Sequence, residues 1–233
     1  MSQLQAPRKL SKRQQMREDT LTTFTDRALV LFEKNRTLLI GIGVGIVALV
    51  LLGFAYNYYQ GQQAIEASER LGAILNVYEN GSYEQALEGT TDRIGLIEIA
   101  DQYGGTPDGN LATFYAADAL FQLGRKDEAL DYFRSYDKGR DYIGASALAG
   151  EAAVYEDRGD YADAAERYED AARLYPNELY SPGYLLDAAR NYELAGDFGD
   201  ARDAYERIQE EYPETPEAGG VSLRLAQLDA MAQ

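Results

Sequence analysis

From Thr37 to Tyr56 the chain runs for twenty residues without a charge, TLLIGIGVGIVALVLLGFAY. A helix rising about 1.5 Å per residue needs about that many to cross the hydrocarbon core of a bilayer. Lys34 and Arg36 bound one end, and Tyr56, Tyr58 and Tyr59 gather at the other, the basic and aromatic edges that a membrane selects. The pattern predicts a transmembrane anchor over 37–58. Two other readings compete with it. After Gly41 and Gly43 a dinucleotide-binding loop would need a third glycine at 46, where Ile46 stands, and a strand-to-helix break, which the unbroken apolar run does not offer. Gly53-Phe54-Ala55 offers a signal peptidase a small-x-small triplet, with cleavage after Ala55, but 36 residues precede the run, far more than a short basic n-region. Gly41 and Gly45 form a small-xxx-small pair that lets two helices approach closely and so opens a route to a homo-oligomer; the bland alternative is that both simply tolerate lipid.

After the span the pattern changes from one apolar block to a recurring motif. Four stretches align: Asn80-Gly81-Ser82-Tyr83-Glu84-Gln85-Ala86, Leu123-Gly124-Arg125-Lys126-Asp127-Glu128-Ala129, Arg158-Gly159-Asp160-Tyr161-Ala162-Asp163-Ala164, and Ala195-Gly196-Asp197-Phe198-Gly199-Asp200-Ala201. Their glycines lie 43, 35 and 37 residues apart, and an alanine follows each glycine five places on. Tyr155 and Tyr192 stand four before a glycine, Tyr168 and Tyr205 nine after, and Pro176 and Pro213 seventeen after; Leu120 and Phe133 take the matching places in the second copy. Such a glycine ends a helix in a left-handed conformation. The alanines let paired helices pack closely, the aromatics fill gaps between layers, and the proline stops the second helix. Thr106-Pro107, Ser181-Pro182 and Thr215-Pro216 read as capping hydroxyls before a first-turn proline, and Ser82 with Gln85 as a capping box. The chain beyond the anchor is therefore expected to be an all-α helical-hairpin solenoid.

The stretch from Ala152 to Pro176, A-x-x-Y-x-x-x-G-D-Y-x-x-A-x-x-x-Y-x-x-A-x-x-x-x-P, resembles a tetratricopeptide repeat. The copy from Ala189 to Pro213 resembles it nearly as well, with Phe198 and Ile208 as departures. In the copy beginning near Asn110, Lys126 and Tyr136 depart from the consensus. The copy from near Glu69 to Pro107 carries nine extra residues, Gly89 to Ile97, which are expected to lengthen or kink its second helix. Residues 217–231 are expected to form a closing helix. The organisation is thus a basic tail over 1–36 with an amphipathic stretch at 24–32, the anchor, and a repeat domain over 59–233 with about four repeats and a cap.

Charge sets the orientation. Residues 1–36 hold eight Lys/Arg against four Asp/Glu, with Arg8, Lys9, Lys12, Arg13 and Arg17 clustered, whereas residues 57–233 hold fourteen against thirty-five. Basic residues near a span stay inside, so the N-terminus is expected in the cytoplasm and the acidic part outside. A net charge of −17 repels phosphate backbones and argues against nucleic acid as partner. With Arg outnumbering Lys seventeen to five, the acidic surface fits either a salt-adapted protein or an ordinary exported domain.

This layout is similar to the bacterial family of membrane-anchored tetratricopeptide proteins that includes the ancillary subunit of the Sec translocon. The resemblance implies an inner-membrane protein with a periplasmic domain that assists exported polypeptides beside the translocon, as a chaperone-like accessory. Its partners would be translocon subunits, exported chains or other envelope proteins. The runner-up is a structural scaffold that joins envelope components or copies of itself.

Catalysis has little to work with. There is no Cys and no His, which removes thiol chemistry, the commonest metal ligand and the commonest general base, so no cofactor, metal or enzymatic site is expected. Asp197-Phe198-Gly199 spells a kinase metal triplet but falls at a repeat turn. Glu210-Glu211 and Asp200/Asp203 fit the solvated faces of helices. What remains is a surface. The phase of the repeats places Phe114, Asp118, Phe121, Glu156, Leu186, Arg190 and Glu193 on the concave face of the first helices, a mixture that suits an extended or helical peptide. Phe114 and Phe121 fit the core equally well.

Overall fold

The computed structural model describes residues 35–231. The expected basic tail and the amphipathic stretch at 24–32 lie outside the described residues. The chain divides into two units, Met1–Tyr59 and Gln60–Gln233.

In the first unit, helix α1 (Arg36–Glu79) contributes its apolar stretch, and the large side chains from Leu38 to Tyr59 are exposed. A helix apolar on every side is stable only where something apolar surrounds it. Among the described residues this is the one helix long and apolar enough to cross a membrane. A Cβ added at Gly41 or Gly45 would meet nothing within 4 Å.

The second unit is helical except for one two-stranded ladder. After α1 come α2 (Tyr83–Glu88), β1 (Gly89–Thr90), β2 (Arg93–Ile94), α3 (Leu96–Tyr103), α4 (Pro107–Gln122), α5 (Lys126–Ser135), α6 (Tyr142–Arg158), α7 (Tyr161–Leu174), α8 (Ser181–Ala195), α9 (Phe198–Glu211) and α10 (Ala218–Met231). From α3 onward each helix packs against the next in sequence, as stacked hairpins do.

The four glycine turns are the same turn. Gly81, Gly124, Gly159 and Gly196 all have φ between 75° and 87°. In each, the glycine N–H donates to the carbonyl three residues back, and the next N–H donates to the carbonyl five back, at 2.8 to 3.2 Å. This Schellman arrangement satisfies the last carbonyls of one helix and turns the chain into the next. The alanines five places on, Ala86, Ala129, Ala164 and Ala201, are each 0% exposed. Leu120, Phe133, Tyr168, Tyr192 and Tyr205 are buried beside them. Phe198, by contrast, is 47% exposed, because it stands at the outer start of α9 rather than between layers.

Several local expectations are corrected. Thr106 caps α4 as foreseen, its Oγ1 accepting from Gly109 N–H at 3.1 Å. Ser82 makes no side-chain cap at α2. Ser181 Oγ instead accepts from Asn177 N–H at 2.9 Å and donates to Tyr175 O at 3.2 Å, fastening the preceding loop. Thr215 donates to Tyr212 O at 2.9 Å, and α10 starts only at Ala218. The insertion neither lengthens nor kinks a helix; it splits it. Gly89 pairs with Ile94 and Thr90 with Arg93 in a short antiparallel ladder. Gly89 has φ of 91°, and a Cβ at Gly95 would lie 2.0 Å from Leu87 O, so the ladder closes at a spacing that only glycine permits.

Two larger buried clusters fill the unit, one from Ala67 to Ala147 and one from Ala152 to Leu228, with a small third cluster of Ala145, Leu148 and Ala171. Among the described residues one ion pair reaches into this core: the half-buried Lys138 Nζ meets the buried Glu151 Oε1 at 2.9 Å and donates to Phe133 O at 2.6 Å, capping the end of α5.

Candidate peptide groove on the first helices

Phe114, Asp118 and Phe121 lie on α4 at spacings of four and three, the spacing of one helix face. The structure brings these three together around a cavity of about 480 Å³. Phe114 makes tilted or edge-on contacts with Tyr115, Phe133 and Tyr136, at centroid distances of 5.7, 6.1 and 5.8 Å. Tyr78 packs edge-on against Tyr115 at 4.9 Å. Phe114 and Phe121 are half-buried: each packs on the core and each lines the cavity. Each ring thus has one side on the core and one side on the cavity.

The far wall comes from α6, with Tyr142, Ile143, Ser146 and Gly150. Gly150 is required there by packing. A Cβ added to it would lie 2.4 Å from Phe133 Cζ, so the missing side chain is what lets the Phe133 ring sit under the cavity. Tyr142, 44% exposed, stands at the rim and stacks on Tyr180 at 4.4 Å.

Asp118 is the polar group of this wall. Its Oδ2 accepts from the Tyr78 hydroxyl at 2.5 Å, and Gln122 Nε2 donates to its Oδ1 at 3.4 Å. Burial first, and then the bond to Asp118, push the Tyr78 hydroxyl above the ordinary tyrosine range. Burial together with Glu79 and Asp118 pushes Tyr115 up as well.

The other four predicted residues lie elsewhere along the stack. Glu156 lines a second cavity of about 450 Å³ with Ala153, Asp157, Tyr161 and Leu194. Its Oε2 accepts from the Tyr168 hydroxyl at 3.1 Å and from Asn191 Nδ2 at 3.2 Å. Leu186 packs on the second buried cluster. Arg190 pairs with Asp187 at 3.0 Å, and burial holds the Asp187 carboxyl above its usual range, against the pull of Arg190. Glu193 Oε1 accepts from the Tyr205 hydroxyl at 2.8 Å.

Tyr78, Tyr115 and Tyr142 were not foreseen as lining residues. Tyr78 was available to the same argument, because it stands three places before its turn glycine, as Phe121, Glu156 and Glu193 do. Along the stack that one position reads Tyr, Phe, Glu, Glu, so the surface passes from aromatic to acidic.

The comparisons with known proteins agree with this architecture. Residues 96–145, covering α3 to the start of α6, match a tetratricopeptide repeat family, and residues 184–215, covering most of α8 and all of α9, match another. No curated protein matches the chain. The second unit is a helical solenoid that carries tetratricopeptide repeats, the architecture of a protein–protein interaction module.

Proposed function

We propose that the chain is a membrane-anchored, non-catalytic interaction module of the bacterial inner membrane. Residues 37–58 anchor it with the N-terminus in the cytoplasm, and the repeat domain over 59–233 holds segments of exported polypeptides beside the translocon, in the manner of a chaperone-like accessory. The observation that carries this reading is the cavity walled by Phe114, Asp118 and Phe121. A concave, largely aromatic site with a few placed polar groups suits a side chain of an extended or helical peptide. The acidic excess outside the span and the basic excess before it support the orientation.

Cross-linked co-purification of the full-length protein from its native membrane tests the proposal. Translocon subunits together with a spread of exported proteins are the expected partners. One fixed envelope protein in their place would overturn the accessory role. The same preparation is expected to delay aggregation of an unfolded chain without nucleotide.

A scaffold reading has one observation in its favour: Gly41 and Gly45 leave open space on an exposed helix face, where a second copy of the span fits closely. On that reading Gly41→Leu with Gly45→Leu breaks up the complex recovered by cross-linking; on the accessory reading it leaves the clients in place.

A further inference from the structure

Resting on the interaction-module reading, we propose that the cavity between α4 and α6 receives a lysine or arginine side chain of the bound segment, flanked by apolar residues, with Asp118 as the counter-charge. Asp118 is half-buried and takes two neutral donors, Tyr78 and Gln122, but forms no ion pair among the described residues. Three other partly or fully buried carboxylates of this unit do have cations: Glu151 has Lys138, Glu169 has Arg207, and Asp187 has Arg190. A carboxylate withdrawn from water and left without a cation is costly, and a cation brought by a partner offsets that cost.

The walls fit the same ligand. Tyr78, Phe114, Tyr115, Phe121 and Tyr142 surround the cavity, and aromatic faces attract a cation within about 6 Å of the ring centre. Phe121 already has Lys126 Nζ at 5.9 Å from its centroid. That ammonium is engaged by Asp157, so it does not neutralise Asp118. The aliphatic stem of a long basic side chain suits the rings, and its head suits the carboxylate.

The arrangement recurs along the stack. Glu156 and Glu193 each accept from a tyrosine hydroxyl, at 3.1 and 2.8 Å, and neither has an ion pair among the described residues. With thirty-five acidic against fourteen basic residues beyond position 56, the surface draws in basic segments and repels acidic ones. The same charge disfavours a second copy of this unit as occupant.

Fluorescence anisotropy of the full-length protein in zwitterionic nanodiscs provides the test. The probes are fluorescein-labelled peptides Ser-Leu-Lys-Leu-Phe-Lys-Ser, the same peptide with glutamine for each lysine, and the same with glutamate. The lysine peptide is expected to bind about tenfold tighter than the glutamine peptide, the glutamate peptide more weakly still, and the difference should shrink as salt rises. Asp118→Asn should weaken the lysine peptide about tenfold and leave the glutamine peptide unchanged. Gln122→Lys, an exposed change that supplies an internal cation four residues from Asp118, should compete for the site and weaken the lysine peptide too. Circular dichroism of both variants reports folding.

Equal binding of lysine and glutamine peptides overturns the inference and leaves the module reading standing. So does lysine-peptide binding that neither variant alters. If no peptide binds, the inference falls, and the cross-linking experiment decides the module reading separately. If Asp118→Asn changes the oligomeric state by light scattering and not peptide affinity, the cavity belongs to a second copy and the inference is overturned.

Discussion

The Tyr205 hydroxyl donates to Glu193 at 2.8 Å across twelve residues, and the Tyr168 hydroxyl donates to Glu156 at 3.1 Å across the same twelve. Each bond joins the last turn of a first helix to the middle of the second, inside one hairpin. Tyr205→Phe and Tyr168→Phe should therefore cost similar amounts, about 1 kcal/mol each, because each acceptor is half-buried and regains water. Urea unfolding followed by circular dichroism measures both.

The same tyrosines make the fold sensitive to alkali. Burial first, then the carboxylates Glu156, Glu169 and Glu193, hold Tyr168, Tyr192 and Tyr205 above the ordinary tyrosine range. The folded chain binds these protons more tightly than the unfolded chain does. Their contribution to stability is complete below about pH 10 and is lost as pH rises through the raised values. The share of the tyrosinate absorbance that comes from Tyr168, Tyr192 and Tyr205 should appear together with unfolding, and Tyr205→Phe should make the alkaline loss shallower.

Lys138 and Glu151 offer a sharper test of burial. Glu151 is 6% exposed, so Lys138→Met leaves a carboxylate without its cation and is expected to cost about 3 kcal/mol. Adding Glu151→Gln should recover a large part of that loss. The four measurements of a double-mutant cycle check it.

Glycines at different backbone angles should respond with opposite sign. Gly159 has φ of 81°, and Gly159→Ala should destabilise by about 1 kcal/mol. Gly199 lies inside α9 with nothing within 4 Å of an added Cβ, and Gly199→Ala should stabilise by about 0.5 to 1 kcal/mol. Thermal melts of the two variants side by side give the comparison.

Gly150→Ala puts a methyl group into the Phe133 ring. It should cost about 1 to 3 kcal/mol and lower affinity for any ligand of the cavity. Tighter binding than the wild type would show that Phe133 does not support the cavity floor.

The turns, the buried alanines and the closing helix were legible in the sequence, because glycine at one offset and alanine at another have few substitutes in a tight hairpin. The Ser82 cap was misread for a physical reason. In all four copies the residue after the turn glycine has ψ between 58° and 64°. The residues that do cap, Thr106 and Asp141, have extended ψ of 159° and 179°, which aims the side chain at the free N–H groups. The backbone bonds of the glycine turn fix the angle and thereby remove the cap. The insertion was legible as extra length but not as a ladder, since two-residue strands have no periodicity to detect. The seven candidate groove residues stand at three helix positions, ten, six and three places before a turn glycine, and the structure brings Phe114, Asp118 and Phe121 around one cavity. The division of the groove into two cavities was not legible, because Gly150 and Tyr142, on the opposing helix, decide where the first one lies.

The four equivalent glycine turns have a consequence for how such a chain can change length. Because the same two backbone bonds close every turn, a cut between Gly124 and Arg125 and a cut between Gly159 and Asp160 leave ends of matching conformation. Removing or duplicating the residues between them rejoins a helix end to a helix start that already fit one another. What changes is the facing helix surface, where Phe121 would give place to Glu156 or the reverse. The turn thus works as a standard joint: the number of layers can change without a new backbone turn, while the order of aromatic and acidic layers changes with it.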